Sequence, residues 1–121
     1  MATRRKAPRP LSIRESCPFM SAEEAWLWFW RCQLARDEGA RFVADAGDTA
    51  RPCDPDDVYR VAVGLRQQNV LGARQAMVLA RYGRALAPPD ARLEEERQAA
   101  RWWEEGLTLL EEPLRRKGIV G

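Results

Sequence analysis

The chain has no histidine and only two lysines, Lys6 and Lys117. Without imidazole it lacks the commonest general base near neutral pH and the base of the usual Ser and Cys triads. Acid–base work would then fall to paired carboxylates. The adjacent pair Glu104 and Glu105 does not serve, because neighbouring positions on a helix point apart. No enzyme activity is expected. Three cysteines, Cys17, Cys32 and Cys53, are widely spaced and odd in number. They form neither a disulfide framework nor, with histidine absent, a zinc site. Neither metal nor cofactor is expected. Long apolar runs are missing too: the longest, Ala25 to Trp30, falls far short of the roughly 18 residues needed to cross a membrane. No hydrophobic stretch with a cleavage site follows the basic start, so the expected location is cytoplasmic.

Acid is missing from one long internal stretch. Between Val58 and Pro89 there is no aspartate or glutamate, yet five arginines occur, Arg60, Arg66, Arg74, Arg81 and Arg84. Elsewhere carboxylates are dense. Residues 1–20 hold five basic groups against Glu15 alone, while the remainder holds 15 basic and 17 acidic groups, so the net charge of +2 comes from the N-terminal stretch. Arginine outnumbers lysine 18 to 2, which a codon bias can produce. Only arginine placement therefore carries information.

The 121 residues, 45% of them apolar, suit one domain with one modest core. The organisation expected is a flexible basic arm over residues 1–20, rich in Pro8, Pro10 and Pro18, followed by a helical domain over 21–121. Arg4, Arg5, Lys6 and Arg9 in the arm are candidate phosphate contacts. Ser21-Ala-Glu-Glu24 is a capping box that opens a first helix running to about Val43. Its segment Trp26-Leu-Trp-Phe-Trp30 is apolar on every side of a helix and must be surrounded; this reads as core or dimer contact ahead of a base-stacking platform.

Residues Ala44 to Cys53 read as a loop. Asp54, Asp56 and Asp57 lack the spacing of a calcium loop. They fit the start of a second helix: Asp54 as cap, Pro55 at the first helical position, two carboxylates facing the positive dipole end. That helix spans about Pro55 to Gln68 and buries Val58, Val61, Ala62 and Leu65. Asn69-Val-Leu-Gly72 is a turn in which Asn69 and Gly72 both tolerate left-handed backbone.

A third helix, about Ala73 to Leu86, places Ala76, Leu79, Ala80, Gly83 and Leu86 on one face and Arg74, Arg81 and Arg84 opposite. Met77 and Val78 fall among those arginines. Pro88-Pro89 stops it. Asp90 is expected to cap a long fourth helix whose seam is Ala100, Trp103, Leu107, Leu110 and Leu114, with surface pairs Arg92–Glu96 and Arg101–Glu105. Pro113 is expected to kink or end it near Glu112, and Gly118 is a natural stop. The fold class is all-α, a single small bundle of about four helices.

The stretch Asp54 to Leu86 resembles the helix-turn-helix unit of DNA-binding regulators: two short helices, the Asn69–Gly72 turn and an arginine-lined second helix. It departs from that pattern where Arg66 stands four residues after Ala62, a place for glycine, and Gly72 makes the turn longer. The resemblance implies that the third helix is the recognition helix. Arg74 and Gln75 would then reach base edges, and Arg81, Arg84 and Arg66 would contact phosphates. The expected function is a small nucleic-acid-binding protein, a transcriptional regulator in the sharper form. The alternative is a helical adaptor whose arginine face meets an acidic protein surface. A homodimer is expected if the Trp26 or Trp103 face stays exposed.

Overall fold

Local capping fixes where the helices begin. In the computed structural model, which describes residues 16–39 and 50–121, the Ser21 hydroxyl accepts from the Glu24 backbone N–H at 3.1 Å and opens α1, Ala22–Asp37. The reciprocal bond shifts by one residue: Glu24 Oε1 accepts from Met20 N at 2.7 Å. The first helix is thus shorter than its apolar pattern predicts. Glu38 is the C-cap, and Gly39 follows with φ 76°, a left-handed conformation that glycine adopts without a Cβ penalty and that closes the helix. The basic arm and most of the loop after α1 lie outside the described residues.

Pro55–Gln67 forms α2, with Pro55 in the first turn as expected. The three aspartates at its start have structural roles, two of them at the helix cap and one in an ion pair to α1. Asp57 accepts from the Asp54 backbone N–H at 3.1 Å and from Arg60 Nη1 at 2.7 Å, and Asp56 pairs with Arg36 of α1 at 3.3 Å. Ala73–Arg84 forms α3, which stops two residues before the expected end. Leu86 takes φ 56° and its N–H returns to the Gly83 carbonyl at 2.9 Å, while Ala87 N reaches Tyr82 O at 3.1 Å. The chain therefore leaves the helix before Pro88, and Leu86 is 40% exposed instead of lying in the core.

Asp90 does not cap α4. It caps a turn, accepting from Arg92 N at 2.9 Å and Arg92 Nε at 3.1 Å, while its own N–H is taken by Glu96 Oε1 at 2.7 Å. These bonds use up both members of the expected Arg92–Glu96 pair. Leu93 is extended, a 3₁₀ turn covers Glu94–Glu96, and α4 runs Arg97–Arg116. Nor does Pro113 end α4. Leu114 beyond it is fully buried, and its carbonyl accepts from Ile119 N at 2.9 Å and Val120 N at 3.3 Å, so the last turn is fixed from its C-terminal side. Gly118, at φ 77°, makes the expected stop.

Among the described residues the result is an all-α bundle of four helices, as the periodicities foretold. α1 and α4 each pack against all the other helices, with α2 lying chiefly on α1 and α3 chiefly on α4. Trp26, Trp28, Phe29 and Trp30 are buried, as are the seam residues Ala100, Trp103, Leu107, Leu110 and Leu114. Trp26 also donates its indole N–H to the Leu79 carbonyl at 2.8 Å, tying α1 to α3. Because both Trp26 and Trp103 are covered within one chain, the condition set for a homodimer is not met. Among the described residues the sole β-type pairing is an isolated parallel bridge between Phe19 and Val120. Phe19, inside the stretch read as arm, is 1% exposed; it packs 5.0 Å from Trp28 and beneath the Arg51 guanidinium at 4.1 Å.

Candidate nucleic-acid interface

The turn into α3 is built from backbone geometry. Asn69 takes the left-handed conformation, φ 62°, and the N–H groups of Val70 and Leu71 both return to the Leu65 carbonyl, at 2.9 and 3.1 Å. Gly72 does not use its left-handed freedom. At φ −74° it is an ordinary extended N-cap, and its N–H donates to Gln75 Oε1 at 2.8 Å. The buried Leu71 side chain anchors the turn from within.

With that start fixed, Arg74, Arg81 and Arg84 are all exposed on α3. Positions 74 and 81 are two turns apart and nearly eclipsed at ~100° per residue, and 84 lies a short step round the same side. Among the described residues no carboxylate lies within 4.0 Å of these three guanidinium groups. Each instead sits over an aromatic ring: Arg74 over Trp102 at 5.4 Å, Arg81 over Tyr82 at 5.6 Å and Arg84 over Trp30 at 5.6 Å. Such contacts hold a guanidinium plane in place while leaving its N–H fork to solvent, so less side-chain freedom is lost when an anion binds.

The buried arc of α3 is turned relative to expectation. Val78, Leu79 and Gly83 are buried, Ala80 is exposed, and Met77 stands 61% exposed between the arginines. α4 packs closely on this helix, with Leu79 set against Gly106. Its carboxylates reach α3 at one place, where Glu105 accepts from Gln75 Nε2 at 3.1 Å. This contact occupies the glutamate expected to pair with Arg101, and it leaves Gln75 committed at both ends of its amide. Arg66 is exposed at the end of α2, with Nη1 3.5 Å from the Leu71 carbonyl. The arm residues Arg4, Arg5, Lys6 and Arg9 lie outside the described residues.

The pairing of α2 and α3 differs from the helix-turn-helix pattern in a definite way. Their connection, Gln68 to Gly72, is longer than the 3–4 residues usual there. The two helices touch each other less than either touches α1 or α4. They splay, and an apolar groove of about 180 Å³ opens between them, floored by Trp26 and walled by Tyr59, Val63, Ala76 and Ala80. Neither the ring partners of the arginines nor this groove was predicted. The ring partners Trp102 and Trp30 come from other helices, so no local pattern could have shown them. Tyr59 and Val63 left a faint trace as apolar residues on the outward side of α2.

A second hollow, lined by Cys53, Asp57, Arg60 and Lys117 among others, offers no nucleophile. Burial, then the Asp57 and Asp54 carboxylates, push the Cys53 thiol up to about 11, which keeps it protonated. No protein-family model, curated protein or solved structure matches the chain.

Proposed function

We propose that the protein binds nucleic acid by laying the arginine face of α3 along the phosphate backbone. One observation carries this reading: Arg74, Arg81 and Arg84 are exposed on one side of a helix, each over an aromatic ring and, among the described residues, none neutralised by a carboxylate. Phosphate oxygens are the natural acceptors for guanidinium forks held in this way. Arg66 and the basic arm would add further salt-sensitive contacts. Because Gln75 is spent on Gly72 and Glu105, Arg74 in the first turn is the remaining candidate for a base edge. Positioning on the backbone thus outweighs base reading, and action as a transcriptional regulator would draw its sequence preference from Arg74 and from duplex shape.

The test is a fluorescence-anisotropy titration of labelled duplex DNA at two salt concentrations. At a slope near −0.9 per phosphate contact, three contacts predict a loss of affinity of about 40-fold between about 50 and about 200 mM salt. Replacing Arg74, Arg81 and Arg84 together with alanine should remove that share of the slope and leave the share contributed by Arg66 and the basic arm. Absence of binding at low salt, or a slope unchanged in the triple variant, refutes the reading.

A further inference from the structure

The groove between α2 and α3 lies beside the arginine face, with Arg84 at the border of the two, and its chemistry is different. Tyr59 forms one wall, its ring 5.0 Å from Phe29 and stacked at 10° on Trp26. Val63 continues that wall one turn along, and Ala76 and Ala80 form the other, small enough to let a foreign side chain in. Tyr59 and Val63 are 43% and 37% exposed, so this apolar surface meets solvent. A volume of about 180 Å³ is below the ~300 Å³ at which small-molecule sites begin. It is close to the ~150 Å³ of an apolar cavity that holds one benzene ring. The groove therefore takes one or two bulky side chains of something larger that lies across its mouth.

Charge says what that something is. Both walls belong to the span Val58 to Pro89, which carries arginines and no carboxylate. Arg66 lines the groove at the turn end, and Arg84 lies over Trp30, whose ring is 6.5 Å from that of Tyr59 at the other end. From Tyr59 to Arg66 the wall runs two helical turns, about 10 Å at ~1.5 Å per residue. An amphipathic helix meets a groove of this length with apolar anchors spaced i, i+4 and i+7. We propose that the α2–α3 groove docks an acidic amphipathic helix of a protein partner, leucine- or phenylalanine-type anchors entering between Val63 and Ala80 and carboxylates meeting Arg66 and Arg84. This inference does not rest on nucleic-acid binding: Arg66 and Arg84 serve both readings, whereas Arg74 and Arg81 belong to the nucleic-acid face alone.

The probe is a fluorescein-labelled synthetic helix of about 18 residues, with leucine on one face and glutamate on its flanks, compared with a twin carrying lysine for glutamate. Anisotropy should show saturable binding of the acidic peptide, at least tenfold tighter than the lysine twin. In ¹H–¹⁵N spectra the shifts should centre on Tyr59, Val63, Gln67, Ala76 and Ala80. Val63→Glu, which puts a carboxylate into a solvent-exposed wall without touching the core, should weaken binding at least tenfold. Arg74→Ala with Arg81→Ala should leave it within about twofold. The proposal falls if the acidic peptide produces no groove shifts, if the lysine twin binds equally well, or if Val63→Glu has no effect. It also falls if sedimentation shows the groove closed by a second copy of the chain, or if duplex DNA produces the same groove shifts.

Discussion

At the level of single residues, close approach decides more than polarity does. Gly83 is where α3 rests on the tryptophans of α1: a Cβ placed there would lie 2.5 Å from Trp30 Cδ1 and 2.8 Å from Trp26 Nε1. Indole rings in a packed core have nowhere to go, and the Trp26 indole is further held by Leu79 O. Gly106 on α4 is also close to a neighbour, but that neighbour is the flexible end of Leu79, at 3.0 Å. Gly83→Ala should therefore destabilise the fold by about 1–3 kcal/mol or more. Gly106→Ala should be close to neutral, because the gain of about 1 kcal/mol in helix propensity offsets a small shift of leucine. Chemical denaturation of the two variants measures the difference; equal losses would contradict the account. Glycine in a helical sequence gives no sign of which neighbour stands opposite, so this distinction was not legible before the fold was known.

At the level of elements, starts were more legible than stops. The caps at Ser21 and Asp54 come from side chains within three residues of the helix they begin, and both helices start where those residues place them. Asp90 carries the same signal, but its carboxylate is taken by Arg92, and α4 starts at Arg97 instead. Pro113 misled in the opposite sense. Its ring removes one donor, yet burial of Leu110 and Leu114 on either side holds the helix through it. If packing alone sustains that turn, Pro113→Ala restores a donor for the Leu109 carbonyl and relieves the ring clash. It should raise stability by about 1–3 kcal/mol and increase Tm. A lower Tm would show that the proline ring itself is part of the packing.

At the level of the whole molecule, the C-terminal end closes the bundle over the residues preceding α1. Phe19 N donates to Ile119 O at 2.8 Å and Gly121 N to Phe19 O at 2.9 Å, with Ile119 and Val120 both buried. The proline and arginine content of the first 20 residues conceals this, because one buried phenylalanine hardly alters their composition. Phe19→Ala should cost about 3–5 kcal/mol, read by thermal or urea unfolding, far above the few tenths expected of a residue in a free arm.

Neighbours along the chain were enough to set the helical class, the caps of α1 and α2, the tryptophan core, the buried seam of α4 and the acid-free span with its arginines. These follow from helix periodicity and from hydrogen bonds that reach three or four residues. The tertiary structure alone decided which way α3 is turned, that its arginines lie over Trp102 and Trp30, that Gln75 is held by Glu105, and that α2 and α3 splay into a groove. Each of these depends on side chains meeting across distant elements, where packing and not local propensity selects the contact.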